Sequence, residues 1–552
     1  QGGEAATGQS AIDEIIVTSQ KRGEQNLSDT PISIAVLQGS DLDMQGVRGV
    51  SDVLNSIAGV NVVETQPGQN DISIRGSASI FLSTSTVGYY MDELPFTLVT
   101  NSVVPDTGAY DLERVEVLRG PQGTLFGAGS LNGVVRILTN DANLDEFEFK
   151  SRGRVSTTKG SDSSYGGDFA INVPIIPGKL AIRGVASYSD LGGYVDSVSD
   201  NLTNINDSQL GAYRLKVNAR PTEKFGIEFA MSASRIDNSS SSQAGDNLQT
   251  LFSAAQGDER DYETYGLEID YDFENFSLLS ATSYIDYGVD TFVDLAFVPP
   301  AFTKLNEFRG VDIFSQEIRA VSSLDGPWQL SGGVFYRDVD QNVQQELPEF
   351  FPGRSDLIDQ SKSWAVFGEL TRSFHDDKFD ITLGLRYFED KAENGEGSNL
   401  FNTAVGPDQE NTFDDTSGRL VLTYYPSDEV TFYSSISRGF RSGFNQSASL
   451  AAVDPNVMPV EPDTLLTYEL GTKGLSPDRR LSYELSVYYS DWNDAQQTVV
   501  IPLGFAVTLN TESVSGVGID ASVALQATEN LKLNASLGWN DLPFDNDVLQ
   551  QG

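Results

Sequence analysis

The chain has 552 residues, no cysteine, a single histidine and a formal net charge of −43. The acidity excludes nucleic acid as a partner, since phosphates are repelled, and the lack of thiols excludes a disulfide framework. One imidazole, His375 in a predicted turn, assembles neither a zinc site nor a histidine-based triad, so no metal and no cofactor are expected.

Gln1 opens a polar Gly/Ala segment with no secretion signal, the expected start of an exported chain after cleavage. Residues 12–22, IDEIIVTSQKR, carry an apolar, β-branched run in this polar tail. Such a run suits recognition by strand addition, in which the backbone gives affinity and alternate side chains give specificity. A disordered start without function is the plainer alternative. Residues 41–58 place Leu42, Val47, Val50, Val53, Leu54 and Ile57 near one helical face. Residues 72–74, 87–91, 115–118 and 134–138 read as short strands, so the first 140 residues form a small α/β domain. The glycines of 120–133 lack the G-x-G-x-x-G spacing, and no Gly-Lys-Ser/Thr follows them. Tight turns explain them better than a nucleotide does.

From Glu146 the period becomes two. Phe379, Ile381, Leu383, Leu385 and Tyr387 alternate with Asp380, Thr382, Gly384 and Arg386. Residues 225–233 and 532–540 repeat the pattern. Connections alternate between tight turns (174–179, 221–224, 274–275, 323–327, 375–378, 426–429, 476–479, 527–530) and long polar segments (237–260, 347–360, 393–411, 442–463). Up-and-down strands with short loops on one side and long loops on the other define an outer-membrane barrel. No stretch approaches the roughly 20 apolar residues of a membrane-spanning helix, which leaves a barrel open. A β-sandwich shows the same alternation. Against it, the strands run to about 10–15 residues where about 5–6 are usual. Aromatics also gather near strand ends, as interfacial girdles require: Tyr188, Tyr284, Tyr287, Phe335, Tyr336, Tyr424, Tyr425, Tyr488, Tyr489 and Trp492. About 17 strands are counted where bacterial barrels use even numbers. An open edge in lipid is costly, so the expectation is that C-terminal strands are missing from this sequence.

The first domain resembles the plug of TonB-dependent outer-membrane receptors. The resemblance rests on IDEIIVTSQKR, then PISIAVLQGSDL, DVLNSIAGVNV, DISIRG at 71–76, VGYYMDELPF at 87–96 and DLERVEVLRGPQGTLFGAGSLNGVVRILTN at 111–140. The barrel adds FSQEIRAVS at 314–322, SRGFRSGFN at 437–445 and TYELGTK at 467–473. The resemblance implies three parts: an N-terminal segment with a TonB box over 1–22, a plug over 23–140 and a transmembrane antiparallel β-barrel over 141–552, in a family of about 22 strands. It implies that Asp13, Glu14, Ile15, Ile16, Val17, Thr18 and Ser19 bind TonB as an extended, largely unattached segment. It implies that Arg75 and Arg119 pair with barrel glutamates and hold the plug. Glu469 matches one such glutamate; the second position holds Arg438, and Glu317 stands as the substitute carboxylate.

The same resemblance implies import of a scarce nutrient across the outer membrane of a Gram-negative bacterium, without enzymatic chemistry. The expected surroundings are a lipid bilayer with lipopolysaccharide, and the expected state is a monomer. The leading substrate is a ferric siderophore; an oligosaccharide, vitamin or other carbon compound is the alternative, and a passive porin a distant one. Substrate contacts are expected from Ile80, Phe81, Leu82 and Phe96 on outward plug loops, since exposed apolar groups mark binding surfaces. Arg438 and Arg441 are the nearest cations for an anionic ligand.

Overall fold

The computed structural model of the chain describes residues 15–79, 83–100, 106, 108–251, 256–294, 304–324, 326–347, 351–398, 405–447, 459–500, 506–511 and 513–545. The plug is built on a five-stranded mixed sheet. Its order is Ile34–Gln38, Leu112–Arg119, Gly133–Thr139, Gly88–Met91 and Leu94–Phe96, with the third and fourth strands parallel. A separate hairpin, Val60–Gln66 with Gln69–Ile74, stands beside it. The expected helix over 41–58 is two short ones, α1 (Gly39–Gln45) and α2 (Val50–Asn55). Gly46 caps α1 at φ 69°, a left-handed conformation that ends a helix at little cost in glycine. The apolar face survives the break: Leu42, Val50, Val53, Leu54 and Ile57 are all buried.

The barrel wall is one antiparallel sheet of 17 strands in chain order, from Glu148–Ser156 to Leu531–Asp541. Its alternation is the predicted one. On the strand Phe379–Ser398, Leu383 and Leu385 are 50% and 56% exposed while Thr382 and Arg386 are 5% and 2%. The first pair faces outward and the second faces the lumen, where Arg386 lies against Gly127 of the plug, which explains why the hydrophobic residues here are the exposed ones. Of the aromatics expected in the girdles, Tyr188, Tyr284, Tyr336, Tyr424 and Tyr489 are exposed on the outer face. Tyr287, Tyr488 and Trp492 are buried on the lumen side. Period two dictates this split, because adjacent residues such as Tyr488 and Tyr489 face opposite ways.

The strands differ in length. Phe351–Phe374 has 24 residues and Trp328–Leu347 has 20, whereas Leu180–Leu191 has 12. At about 3.3 Å per residue the longest runs roughly 80 Å, far more than an apolar band of about 25 Å requires. The excess lies on the side of the long loops, because the opposite ends all meet in tight turns.

Candidate functional site

The lumen side of the plug holds the chemistry, and it has two levels. The lower level is a set of buried ion pairs. Arg75 ends the strand Gln69–Ile74 with φ 51°, and Gly76 follows at 78°. Two successive left-handed residues turn the guanidinium out of the hairpin towards the wall. There Nη2 meets Glu469 Oε2 at 2.6 Å and Nε donates to Asp520 Oδ2 at 2.9 Å. The ring of Tyr488 lies 3.8 Å from the guanidinium carbon. Tyr433 donates its hydroxyl to the other oxygen of Glu469 at 2.7 Å. Burial opposes the charge on Arg75, but Glu469 and Asp520 outweigh it and hold the guanidinium protonated. Arg119 bonds within the plug instead, donating to the Ala58 carbonyl at 3.0 Å and the Ser33 hydroxyl at 3.4 Å.

Glu317 meets neither arginine. It accepts from Lys21 Nζ at 2.8 Å and from Arg319 at 2.7 Å. Arg319 also pairs with Glu93 at 3.2 Å, Glu93 with Arg136 at 3.3 Å, and Arg136 with Glu116 at 2.9 Å. Burial works against the Glu93 carboxylate, yet Arg319, Lys21 and Arg136 together hold it well below the usual range. This chain of charges reaches the N-terminal segment. Thr18 donates its backbone N–H to Glu116 at 3.2 Å, and its hydroxyl accepts from Arg136 at 2.9 Å. Arg22 pairs with Glu369, which also holds Arg419.

The segment expected to be largely unattached is docked. Ile16–Val17 pairs antiparallel with Gln25–Asn26. Val17 is buried with Ile32, Ile34, Tyr90, Leu118, Leu125, Phe126 and Val134, and Ser19 is fully buried. The sequence shows only that residues 15–17 are apolar; the structure supplies the pocket that receives Val17. Burial lowers the pKa of Lys21, opposed by Glu317, and its ammonium lies 5.0 Å from the centre of the Phe126 ring. Asp13 and Glu14 lie outside the described residues, as do Ile80, Phe81 and Leu82.

Phe96 is 7% exposed, edge-on to Tyr287 with ring centres 5.5 Å apart, and so belongs to the apolar plug–wall contact. Arg441 is fully buried; its Nε donates to both oxygens of Asp463 at 2.9 and 3.1 Å, its Nη2 also bonds Asp463 Oδ2, and its Nη1 donates to the Thr84 carbonyl at 2.9 Å. Trp492 donates to the same carboxylate at 2.9 Å. Arg441 therefore fastens the plug to the wall. Arg438 pairs with Asp415 at 2.7 Å on the strand Val430–Arg441, where it shares the outward parity of Ile436 and Phe432. The wall comes very close to the plug at Gly439, where a Cβ would lie 2.2 Å from the Leu131 carbonyl oxygen.

The upper level, towards the long loops, is open. One cavity of about 470 Å³ lies between the plug residues Arg48, Ser51, Asp52, Glu64, Gln66 and Asp106 and a serine-rich wall that includes Ser164, Ser187 and Ser208. A second, of about 460 Å³, is lined by Gln66, Gln69, Gln243, Gln256 and Gln345 with Arg260, Arg309 and Glu307. Gln66 borders both. Asp106 caps α2, accepting from Val50 N at 3.4 Å and from Gly108 N at 2.8 Å, and burial pushes its carboxyl up to about 6. Sequence reasoning missed Asp520, Asp463, Glu369 and the glutamines. The strand parity could have shown which of them face the lumen.

A barrel with outward apolar rows, filled by a plug that is ion-paired to its wall, defines a gated outer-membrane pore. The chain belongs to the TonB-dependent receptors: residues 186–551 match the family model for the TonB-dependent receptor-like beta-barrel, and residues 26–134 match that for the receptor plug domain. It is an outer-membrane protein of Gram-negative type. Over 544 residues it is 24% identical to the pesticin receptor of Yersinia enterocolitica, covering 94% of this chain and 76% of that one. Over 174 residues it is 29% identical to the ferripyoverdine receptor of Pseudomonas aeruginosa, covering 30% of this chain and 20% of that one. The ferric yersiniabactin uptake receptor of Yersinia pestis shares the fold with a TM-score of 0.81 at 19% identity, over 94% of this chain and 80% of that one.

Proposed function

We propose that the protein imports a ferric siderophore through the barrel, with energy delivered by TonB. The observation that carries this reading is the two-level plug: open polar cavities on the outer side, and a buried charge network on the inner side that ends at the N-terminal segment. The relatives named for ferric chelates support the substrate class. In this reading the chelate settles in the upper cavities. TonB adds a strand to residues 13–19, which requires Ile15–Ser19 to leave their docked place. Arg75, Glu469, Asp520 and Arg441 hold the plug until that pull arrives. Arg438 and Arg441, already engaged by carboxylates, serve the structure and leave substrate contact to the cavities. The protein works as a monomer in a bilayer with lipopolysaccharide, and no covalent step is involved.

The test is uptake of radioactive iron by cells that lack their own siderophore receptors and express this protein. Accumulation of a ferric chelate that needs both the protein and an energised TonB supports the reading. Equal accumulation without TonB points to passive passage and overturns it. The glutamine-lined cavity favours one second reading, an oligosaccharide or vitamin, since amides bind hydroxyl-rich ligands equally well. Growth on such a compound that needs the protein, with no chelate uptake, would establish it.

A further inference from the structure

The charges that line the upper cavities bear on which chelates the entrance admits. Four guanidiniums border the two cavities, and each has a carboxylate partner. Arg48 pairs with Asp52 at 3.8 Å and Arg154 with Asp168 at 3.3 Å. Arg309 pairs with Glu307 at 3.0 Å, and Arg260 is joined to Asp258. Glu64 and Asp106 line the first cavity as well; Glu64 accepts from the Ser51 hydroxyl and Asp106 from backbone N–H groups. Five carboxyl groups thus line the cavities beside four guanidiniums, and a sixth, Asp258, holds Arg260 from outside the lining. The residues outside the described ones include no lysine or arginine. The remaining polar lining is amide and hydroxyl. Gln256 Oε1 is buried on the second cavity without a protein partner, which leaves an acceptor for a donor brought by the ligand.

A polyanion placed here has to displace carboxylates from their arginines or lie beside them, and like charges brought together are penalised strongly. A neutral or cationic ligand with amide groups meets no such conflict and finds both donors and acceptors. Resting on the siderophore reading, we infer that the cavities select uncharged or cationic ferric chelates of hydroxamate type and reject polyanionic catecholate and citrate chelates.

The experiment is equilibrium binding of three iron chelates to the purified full chain in detergent: a monocationic ferric trihydroxamate, a trianionic ferric tris-catecholate and ferric citrate. The expected result is a trihydroxamate bound at least about tenfold tighter than either anion, about the discrimination that one charge conflict of 1.4 kcal/mol supplies. The Glu307→Gln variant, which frees Arg309, is expected to narrow that ratio by improving binding of the trianion severalfold. Tighter binding of an anionic chelate by the unaltered protein overturns this inference and leaves iron import standing. A preference unchanged in a folded Glu307→Gln protein overturns its assignment to the second cavity. Binding of no chelate of any charge overturns the import reading and this inference together.

Discussion

The two levels of the plug–wall interface handle polar groups in opposite ways. Below, charges are dry and paired: Arg75, Arg136 and Lys21 are each nearly or fully buried against carboxylates. Above, charges line open cavities of about 470 and 460 Å³ among serines and glutamines. Buried pairs are weak contributors to net stability, yet losing one partner strands a charge. The lower level is therefore a switch with a high threshold, and the upper level a surface that can exchange water for ligand at little cost.

Variants can break this contrast. The largest effect is expected from Arg75→Ala, which leaves Glu469 and Asp520 buried together; a loss of about 3–5 kcal/mol is anticipated, read from the thermal unfolding of the purified protein. A change under about 1 kcal/mol would show that the lower level is no lock. Next comes Asp106, at the upper level. Burial lifts its carboxyl from the ordinary 3.8 to about 6, so the folded state holds this proton more tightly than the unfolded chain does. The resulting stability is fully present below about pH 3.8 and lost as pH rises through about 6. Asp106→Asn should flatten the pH dependence of unfolding in that window by on the order of 3 kcal/mol.

A smaller effect tests the docked segment. The chain has no cysteine, so Val17→Cys places a unique thiol at a site 1% exposed. Adding Lys21→Met leaves Glu317 with Arg319 alone, and should speed labelling of that thiol by about tenfold as local opening becomes easier. Unchanged labelling would mean that Lys21 does not hold the segment. The smallest effect belongs to Arg438→Gln. Its side chain is 33% exposed, and such a pair contributes at most about 1 kcal/mol, so the unfolding midpoint should scarcely move.

The barrel was legible in the sequence because lipid outside and plug inside force a strict period of two, as on residues 379–387. The small domain was legible too, but Gly46, which divides α1 from α2, sits inside an apolar period that runs on past it and so hides the stop. Arg75 and Glu469 could be paired through their motifs. Asp520 could not, because 79 acidic residues offer carboxylates everywhere and only strand register brings this one beside Ser486. The docking of Val17 was hidden for another reason. A short apolar run reads the same whether it waits for a partner or fills a pocket in its own chain, and the pocket comes from residues as distant as Val134.

The unequal strands give the entrance a direction. The wall around Phe351–Phe374 has twice the residues of the wall at Leu180–Leu191, and after tilting it stands roughly 30 Å taller. The rim is a slanted collar with a low sill beside the serine-rich cavity. The tall wall is a parapet on one quarter, and on the other the loop residues Tyr194, Asn206 and Ser242 line the entrance above the sill. Arrival at this receptor is thus sided, and changes at the sill should alter the rate of capture more than equal changes on the parapet.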